Sequence, residues 1–122
     1  MDSKKTILVV DDEESTQNLL KTILEDAGYE LVVVSTGKEA VNIVSSGVIS
    51  LVLLDIVMPE MDGYQTLELI REKSNIPVIM ITGKGGITSL ITSIDLGADD
   101  YIKKPFRPAK LLARVKAKLR RI

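Results

Sequence analysis

Leu51-Val-Leu-Leu-Asp-Ile-Val-Met-Pro-Glu-Met-Asp-Gly63 decides the fold: four consecutive apolar residues, an acid, then a loop marked by Pro59 and Gly63. An unbroken apolar run bounded by turn formers is the pattern of a strand buried on both faces, as in a parallel sheet, whereas a half-exposed strand alternates. The run predicts a central strand that delivers Asp55 to its C-terminal edge, where open α/β sheets place their ligands. Taken alone, Asp55 is better read as capping or solvating a strand end.

Working outward, the same pattern recurs. Thr6–Val10 is an apolar run ending on Asp11-Asp-Glu-Glu14, so a second strand carries carboxylates at its C-terminal end. The following helix has Leu19, Leu20, Ile23, Leu24 and Ala27 at helical spacing and stops at Gly28, a residue suited to the position just past a helix end. Glu30–Val34 reads as a strand. Thr36-Gly-Lys-Glu39 has the form of a capping box and opens a helix with Ala40, Val41 and Val44 on one face, ended by Gly47. Beyond Asp55, a helix runs from Gly63 to about Ser74 with Tyr64, Leu67 and Ile70 facing in. Pro77–Ile81 is another doubly buried strand, delivering Thr82, and Gly83-Lys-Gly-Gly86 leads to a fourth helix ending at Gly97. Asp100–Lys103 is the last strand, and Pro108 sits in the first turn of a helix with Leu111, Leu112, Val115 and Leu119 as its core stripe.

Repeated alternation of strand and helix implies a parallel sheet joined by right-handed crossovers, with helices on both faces. All strand C-termini then share one edge. Asp11 and Asp12, Asp55, Thr82 and Lys104 lie at the ends of different strands, so one crevice can collect three acids, a hydroxyl and an ammonium. Three adjacent carboxylates repel, and the simplest neutraliser is a divalent metal together with Lys104. The chain has no cysteine and no histidine, so only oxygen ligands are on offer. Magnesium fits, because it binds through one or two carboxylates plus waters and phosphoryl oxygens; manganese is the alternative.

Composition narrows the class further. At 122 residues, 45% hydrophobic and 27% charged, the chain has the balance of one soluble domain. A net charge of −1 gives no general attraction to nucleic acid or anionic membrane. Disulfides, thiolate metal sites and cysteine nucleophiles are excluded outright. Ile7–Val10, behind Lys4 and Lys5, is too short for a signal-peptide core, and no run approaches membrane-spanning length. A cytoplasmic protein without membrane contact is expected. The Gly83–Gly86 loop lacks the spacing of a Walker P-loop.

Four pieces, Val9-Val-Asp-Asp-Glu13, Leu54-Asp-Ile-Val-Met-Pro-Glu-Met-Asp-Gly63, Met80-Ile-Thr82 and Gly97-Ala-Asp-Asp-Tyr-Ile-Lys-Lys-Pro-Phe106, resemble in order and spacing the response-regulator receiver domain of two-component signalling. The resemblance covers nearly all of the chain and includes the small chemotaxis regulators. It implies one receiver domain over residues 1–122 with a flavodoxin-like doubly wound fold, a five-stranded parallel sheet in the order 2-1-3-4-5. It further implies that Asp55 is phosphorylated by a sensor histidine kinase or phosphotransfer protein. Magnesium would be held by the side chains of Asp12 and Asp55, by Asp11 directly or through water, and by the backbone carbonyl of Val57. Thr82 and Lys104 would stabilise the phosphoryl oxygens, and the bond before Pro105 would be cis. Thr82 and Tyr101 match the family's switch pair, which would alter the surface of the fourth helix, last strand and fifth helix. Such a domain is a phospho-acceptor switch that also loses its phosphate by hydrolysis, and not an enzyme for an external substrate. The competing class is a phosphate-independent protein-binding module on the same fold. A small-phosphate hydrolase is disfavoured, because Asp55-Ile-Val57 lacks the second acid two residues on.

Some positions depart from the family's pattern. Val57 is apolar where polar side chains are frequent, and Lys84 lies two residues past Thr82; both are expected to set the lifetime of the phosphorylated state. The fourth helix has no charged residue from Gly85 to Ile94. Its stripe of Ile87, Leu90, Ile91 and Ile94 is expected to be partly core, with Ile91 and Ile94 inward and Ile87 and Leu90 exposed as partner contacts. Leu111-Leu-Ala-Arg-Val-Lys-Ala-Lys-Leu-Arg-Arg121 resembles the closing helix of receivers fused to winged-helix DNA-binding domains. Asp100 and Arg114 match part of that subfamily's dimer face, although Leu90, Thr92 and Lys110 do not match its other charge pairs. DNA would be reached only through a fused domain outside this chain; the cations at 116–121 fit the dipole of a helix C-terminus.

Overall fold

The structure is a computed structural model and describes residues 4–83 and 86–120. The elements run β1 (Thr6–Val10), α1 (Glu14–Asp26), β2 (Glu30–Val34), α2 (Gly37–Val44), β3 (Leu51–Leu54), α3 (Gly63–Lys73), β4 (Val78–Thr82), α4 (Ile87–Asp95), β5 (Asp100–Lys103) and α5 (Pro108–Leu119). The five strands form one parallel sheet in the order β2-β1-β3-β4-β5. This is the flavodoxin-like architecture expected from the sequence.

Every residue of β3 and β4 is buried, and β1 is buried from Ile7 onward. Because successive strand side chains point to opposite faces, these apolar runs supply two cores at once. Leu8, Val10, Val52, Leu54, Val78 and Met80 pack with Ala40 and Val44 of α2 and Leu67 and Ile70 of α3. Ile7, Val9, Leu51, Leu53, Ile79 and Ile81 pack with Leu20 and Leu24 of α1 and Leu111 and Val115 of α5. The edge strands β2 and β5 are only partly buried.

Local signals behave unevenly. Thr36 caps α2 by accepting from the Glu39 amide at 3.2 Å, but the Glu39 carboxylate takes the Thr36 hydroxyl, so the box is only half made. The full capping box lies instead at α3, where Asp62 and Gln65 each bond the other's backbone. Leu19 of α1 and Ala27, which caps its C-terminal end, are exposed despite their helical spacing.

The fourth helix corrects the sequence reading. Ile91 and Ile94, expected inward, are 52% and 46% exposed, alongside Ile87 at 72% and Leu90 at 39%. The residues that α4 buries are Ser89 and Ser93. The apolar spacing correctly marks one face of a helix, but periodicity does not say which side the sheet lies on. The expected exposure of Ile87 and Leu90 is what the structure shows.

Candidate functional site

The site stands at the C-terminal edge of the three central strands and β5. Asp55 directly follows β3, and its amide bonds the Val10 carbonyl at 3.0 Å, which ties it to the end of β1. The Asp11 amide bonds Val34 of β2 at 3.2 Å, and the Lys104 amide bonds Thr82 of β4 at 2.8 Å. Sheet hydrogen bonding thus sets the relative height of each residue. The loop after Asp55 folds back sharply: the Gly63 amide bonds the Ile56 carbonyl at 2.7 Å. A Cβ on Gly63 would lie 2.2 Å from the Asp55 carbonyl oxygen, so no larger residue fits this return. Ile56 and Met58 are buried beneath it.

Carboxylate oxygens of Asp11, Asp12 and Asp55 lie within 4.8 Å of one another. Asp11 and Asp55 are buried while Asp12 faces solvent. The Lys104 ammonium reaches into the cluster, 3.0 Å from Asp11 Oδ2, 3.5 Å from Asp55 Oδ2 and 3.4 Å from Glu13 Oε1. Thr82 is fully buried, and its side chain hydrogen-bonds the Asp55 carboxylate. The Val57 amide approaches Asp55 Oδ1 at 3.4 Å. Asp12, Glu13, Asp55, Val57, Thr82, Gly83 and Lys104 line an open depression of about 380 Å³.

Burial dominates the electrostatics of Asp55 and raises its pKa above the ordinary carboxylate value. The Lys104 charge opposes that rise, Asp11 adds to it, and the bonds from Val57 and Thr82 oppose it. Burial pulls Lys104 the other way, toward losing its proton. Its bond to Asp11 and the charges of Asp11, Asp55 and Glu13 outweigh that, and its pKa ends raised. One ammonium therefore stays charged while the acids around it remain under-compensated. A compact, oxygen-only donor set with surplus negative charge and an open side suits a hard divalent cation.

All the sequence-predicted acids, the hydroxyl and the ammonium thus converge. Val57 lines the depression with its side chain 58% exposed. The Lys104–Pro105 bond is cis, as expected. Asp100 and Arg114, expected on a dimer face, pair with each other within the chain. Tyr101 is half-buried against the α3-side core, and its hydroxyl shares a hydrogen bond with Ser89. Lys84 lies outside the described residues.

Sequence reasoning passed over Glu13, Arg71 and Asp99. The Arg71 guanidinium donates to the carbonyls of Gly97 at 2.8 Å and Ile76 at 2.6 Å and pairs with Asp99 at 2.9 Å, and Asp99 in turn accepts the Val78 amide. These contacts brace the opposite end of the sheet. A lone Arg in a helix and an acid in a loop carry no local signal of such pairing.

An acidic cluster beside one ammonium stands at the carboxyl edge of a 2-1-3-4-5 parallel sheet, an arrangement consistent with a phospho-acceptor α/β domain. Residues 7–116 match the response regulator receiver domain, and the chain belongs to that family. It is 45% identical over 99% of its length to the probable transcriptional regulator ycf27 of Guillardia theta and 44% identical over 94% to the transcriptional regulatory protein SrrA of Staphylococcus aureus. It spans about half of each of those relatives, 48%. A CheY-like receiver domain protein from Methanospirillum hungatei superposes with a TM-score of 0.90 at 36% identity, covering 98% of this chain and 96% of that one. The BeF3-activated N-terminal receiver domain of Klebsiella pneumoniae RstA does so at 0.91 and 32%, covering 95% and 99%. Among the described residues, no helix is long and apolar enough to cross a membrane.

Proposed function

We propose that this chain, residues 1–122, is a magnesium-dependent phospho-acceptor switch that takes a phosphoryl group on Asp55 from a sensor histidine kinase or phosphotransfer protein. The observation that carries the reading is the placement of the buried Asp55 carboxylate between two further acids and the Lys104 ammonium. A carboxylate oxygen of Asp55 attacks the phosphorus of an N-phosphorylated imidazole. The new O–P bond forms as the P–N bond breaks, and the imidazole takes up a proton as it leaves. Hydrolysis later breaks the phosphoryl linkage, releasing inorganic phosphate and restoring the carboxylate.

Asp11, Asp12 and Asp55 would hold magnesium, with the Val57 carbonyl contributing a further oxygen. Bound there, the ion supplies the positive charge that lets anionic groups approach one another. Lys104 binds the incoming phosphoryl oxygens from the other side, exchanging its bond to Asp11 for one to the more highly charged group. The Thr82 hydroxyl, already on Asp55, is placed to follow the charge outward. Tyr101 and the α4–β5–α5 face then shift with it. The exposed Ile87 and Leu90 of α4 support use of that face as a partner surface, with a homodimer as one arrangement. Named relatives about twice as long, called transcriptional regulators, support reading this chain as the input half of a longer protein. Contact with DNA would then belong to a fused domain.

Intact mass after incubation with acetyl phosphate tests the reading. The native chain should gain one phosphoryl group only when magnesium is present, and Asp55→Ala should gain none. An unmodified native chain would leave the phosphate-independent binding module as the better account.

A further inference from the structure

α4 rests on the sheet through hydroxyls. Ser89 and Ser93 are its buried residues, while its four large apolar side chains face outward. Four residues apart, the two serines stack one above the other along the same face of the helix. Ser89 shares a hydrogen bond with the Tyr101 hydroxyl, and Tyr64 stands close to the same phenol. Ser93 is fully buried, and its Oγ has no hydrogen-bond partner among the described residues.

Small size alone does not explain this seam. Alanine would let α4 approach the sheet as closely, and it would leave no buried hydroxyl to desolvate. Serine at both positions is useful if at least one hydroxyl has work to do, and Ser89 does: it engages the one aromatic side chain on β5. Tyr101 pairs with Met80 in the sheet register, two residues before Thr82. Its ring packs against the α3-side core, and its hydroxyl meets the buried seam of α4. A group that fixes the ring's orientation also fixes the shape of the α4–β5 surface.

We infer that Ser89 is a positioning residue for Tyr101: its hydroxyl latches the ring in the orientation seen here, and the unpaired Ser93 one turn on leaves α4 weakly seated and free to shift when the latch opens. This rests on the phospho-acceptor reading for its trigger but not for its resting geometry. Ser89 sets the resting position of the switch, and phosphorylation has to overcome that bond. Removing the hydroxyl therefore biases the surface toward the phosphorylated form without touching the acceptor site.

The test follows the Tyr101 ring resonances in the full chain, with and without beryllofluoride and magnesium, alongside thermal midpoints. Ser89→Ala should move those resonances in the phosphate-free chain toward the positions the native chain adopts with beryllofluoride. Ser89→Thr, which keeps the hydroxyl, should stay near the native resting positions. Ser93→Ala should raise the thermal midpoint of the resting form. Tyr101 resonances unaltered by Ser89→Ala, or shifted equally by Ser89→Thr, would overturn the latch. A native chain that ignores beryllofluoride would overturn the phospho-acceptor reading instead, and comparison of the resting spectra would still decide the role of Ser89.

Discussion

Lys104 and Asp11, 93 residues apart in sequence, meet at 3.0 Å across the mouth of the site. The ion pair with Asp55 is longer, at 3.5 Å, so the ammonium leans toward Asp11. On the phospho-acceptor reading proposed above, Lys104 turns from Asp11 toward the incoming phosphoryl oxygens. Lys104→Met removes the charge while keeping much of the length, and modification of Asp55 by acetyl phosphate is expected to slow by at least about tenfold. Stopped-time intact mass measures this. A rate within twofold of native would show that Lys104 only neutralises the resting cluster.

Stability should respond to Asp55 in the opposite sense from an ordinary paired acid. Burial raises its folded-state pKa above 3.8, with Lys104 opposing and Asp11 reinforcing. The fold then holds the proton more tightly than the unfolded chain does, so stability falls as pH rises from near the unfolded value through the folded one. Asp55→Asn removes that penalty. Without divalent metal at pH 7 it should be more stable than the native chain, a gain that shrinks toward pH 4. Magnesium should raise the thermal midpoint of the native chain far more than that of the variant. A variant no more stable than native at pH 7 sinks this account.

Gly63 holds the returning loop against the end of β3. Its added Cβ would stand 2.2 Å from the Asp55 carbonyl oxygen and 2.6 Å from Ile56 Cα, both backbone atoms that cannot swing away. Gly63→Ala is expected to destabilise by about 3 kcal/mol or more. Because the displaced backbone is that of Asp55, phosphoryl uptake should drop even where the variant remains folded. Urea titration followed by the acetyl phosphate assay separates the two effects, and near-native values in both would contradict the packing.

Arg71 satisfies carbonyls of two loops and pairs with Asp99, which itself caps the Val78 amide. Arg71→Met leaves those carbonyls and the acid without their donor, at a cost of about 2–4 kcal/mol. The effect should appear as a lower urea midpoint with an unchanged slope. A loss under about 0.5 kcal/mol would mean that water replaces the guanidinium.

By itself the sequence determined the sheet, its doubly buried central strands and the five residues that line its carboxyl edge. Those readings rest on local, one-dimensional signals: unbroken apolar runs, glycine and proline stops, and acids placed directly after strands. The α4 stripe shows where such signals end. Spacing put Ile87, Leu90, Ile91 and Ile94 on one side of a helix, but only packing against β5 decided that this side faces outward and that Ser89 and Ser93 face in. Arg71 with Asp99 and Asp100 with Arg114 were likewise settled by tertiary structure, as was the lean of Lys104 toward Asp11. The physical reason is common to all of them: periodicity is set within a segment, whereas burial and ion pairing depend on atoms brought together from segments far apart in the chain.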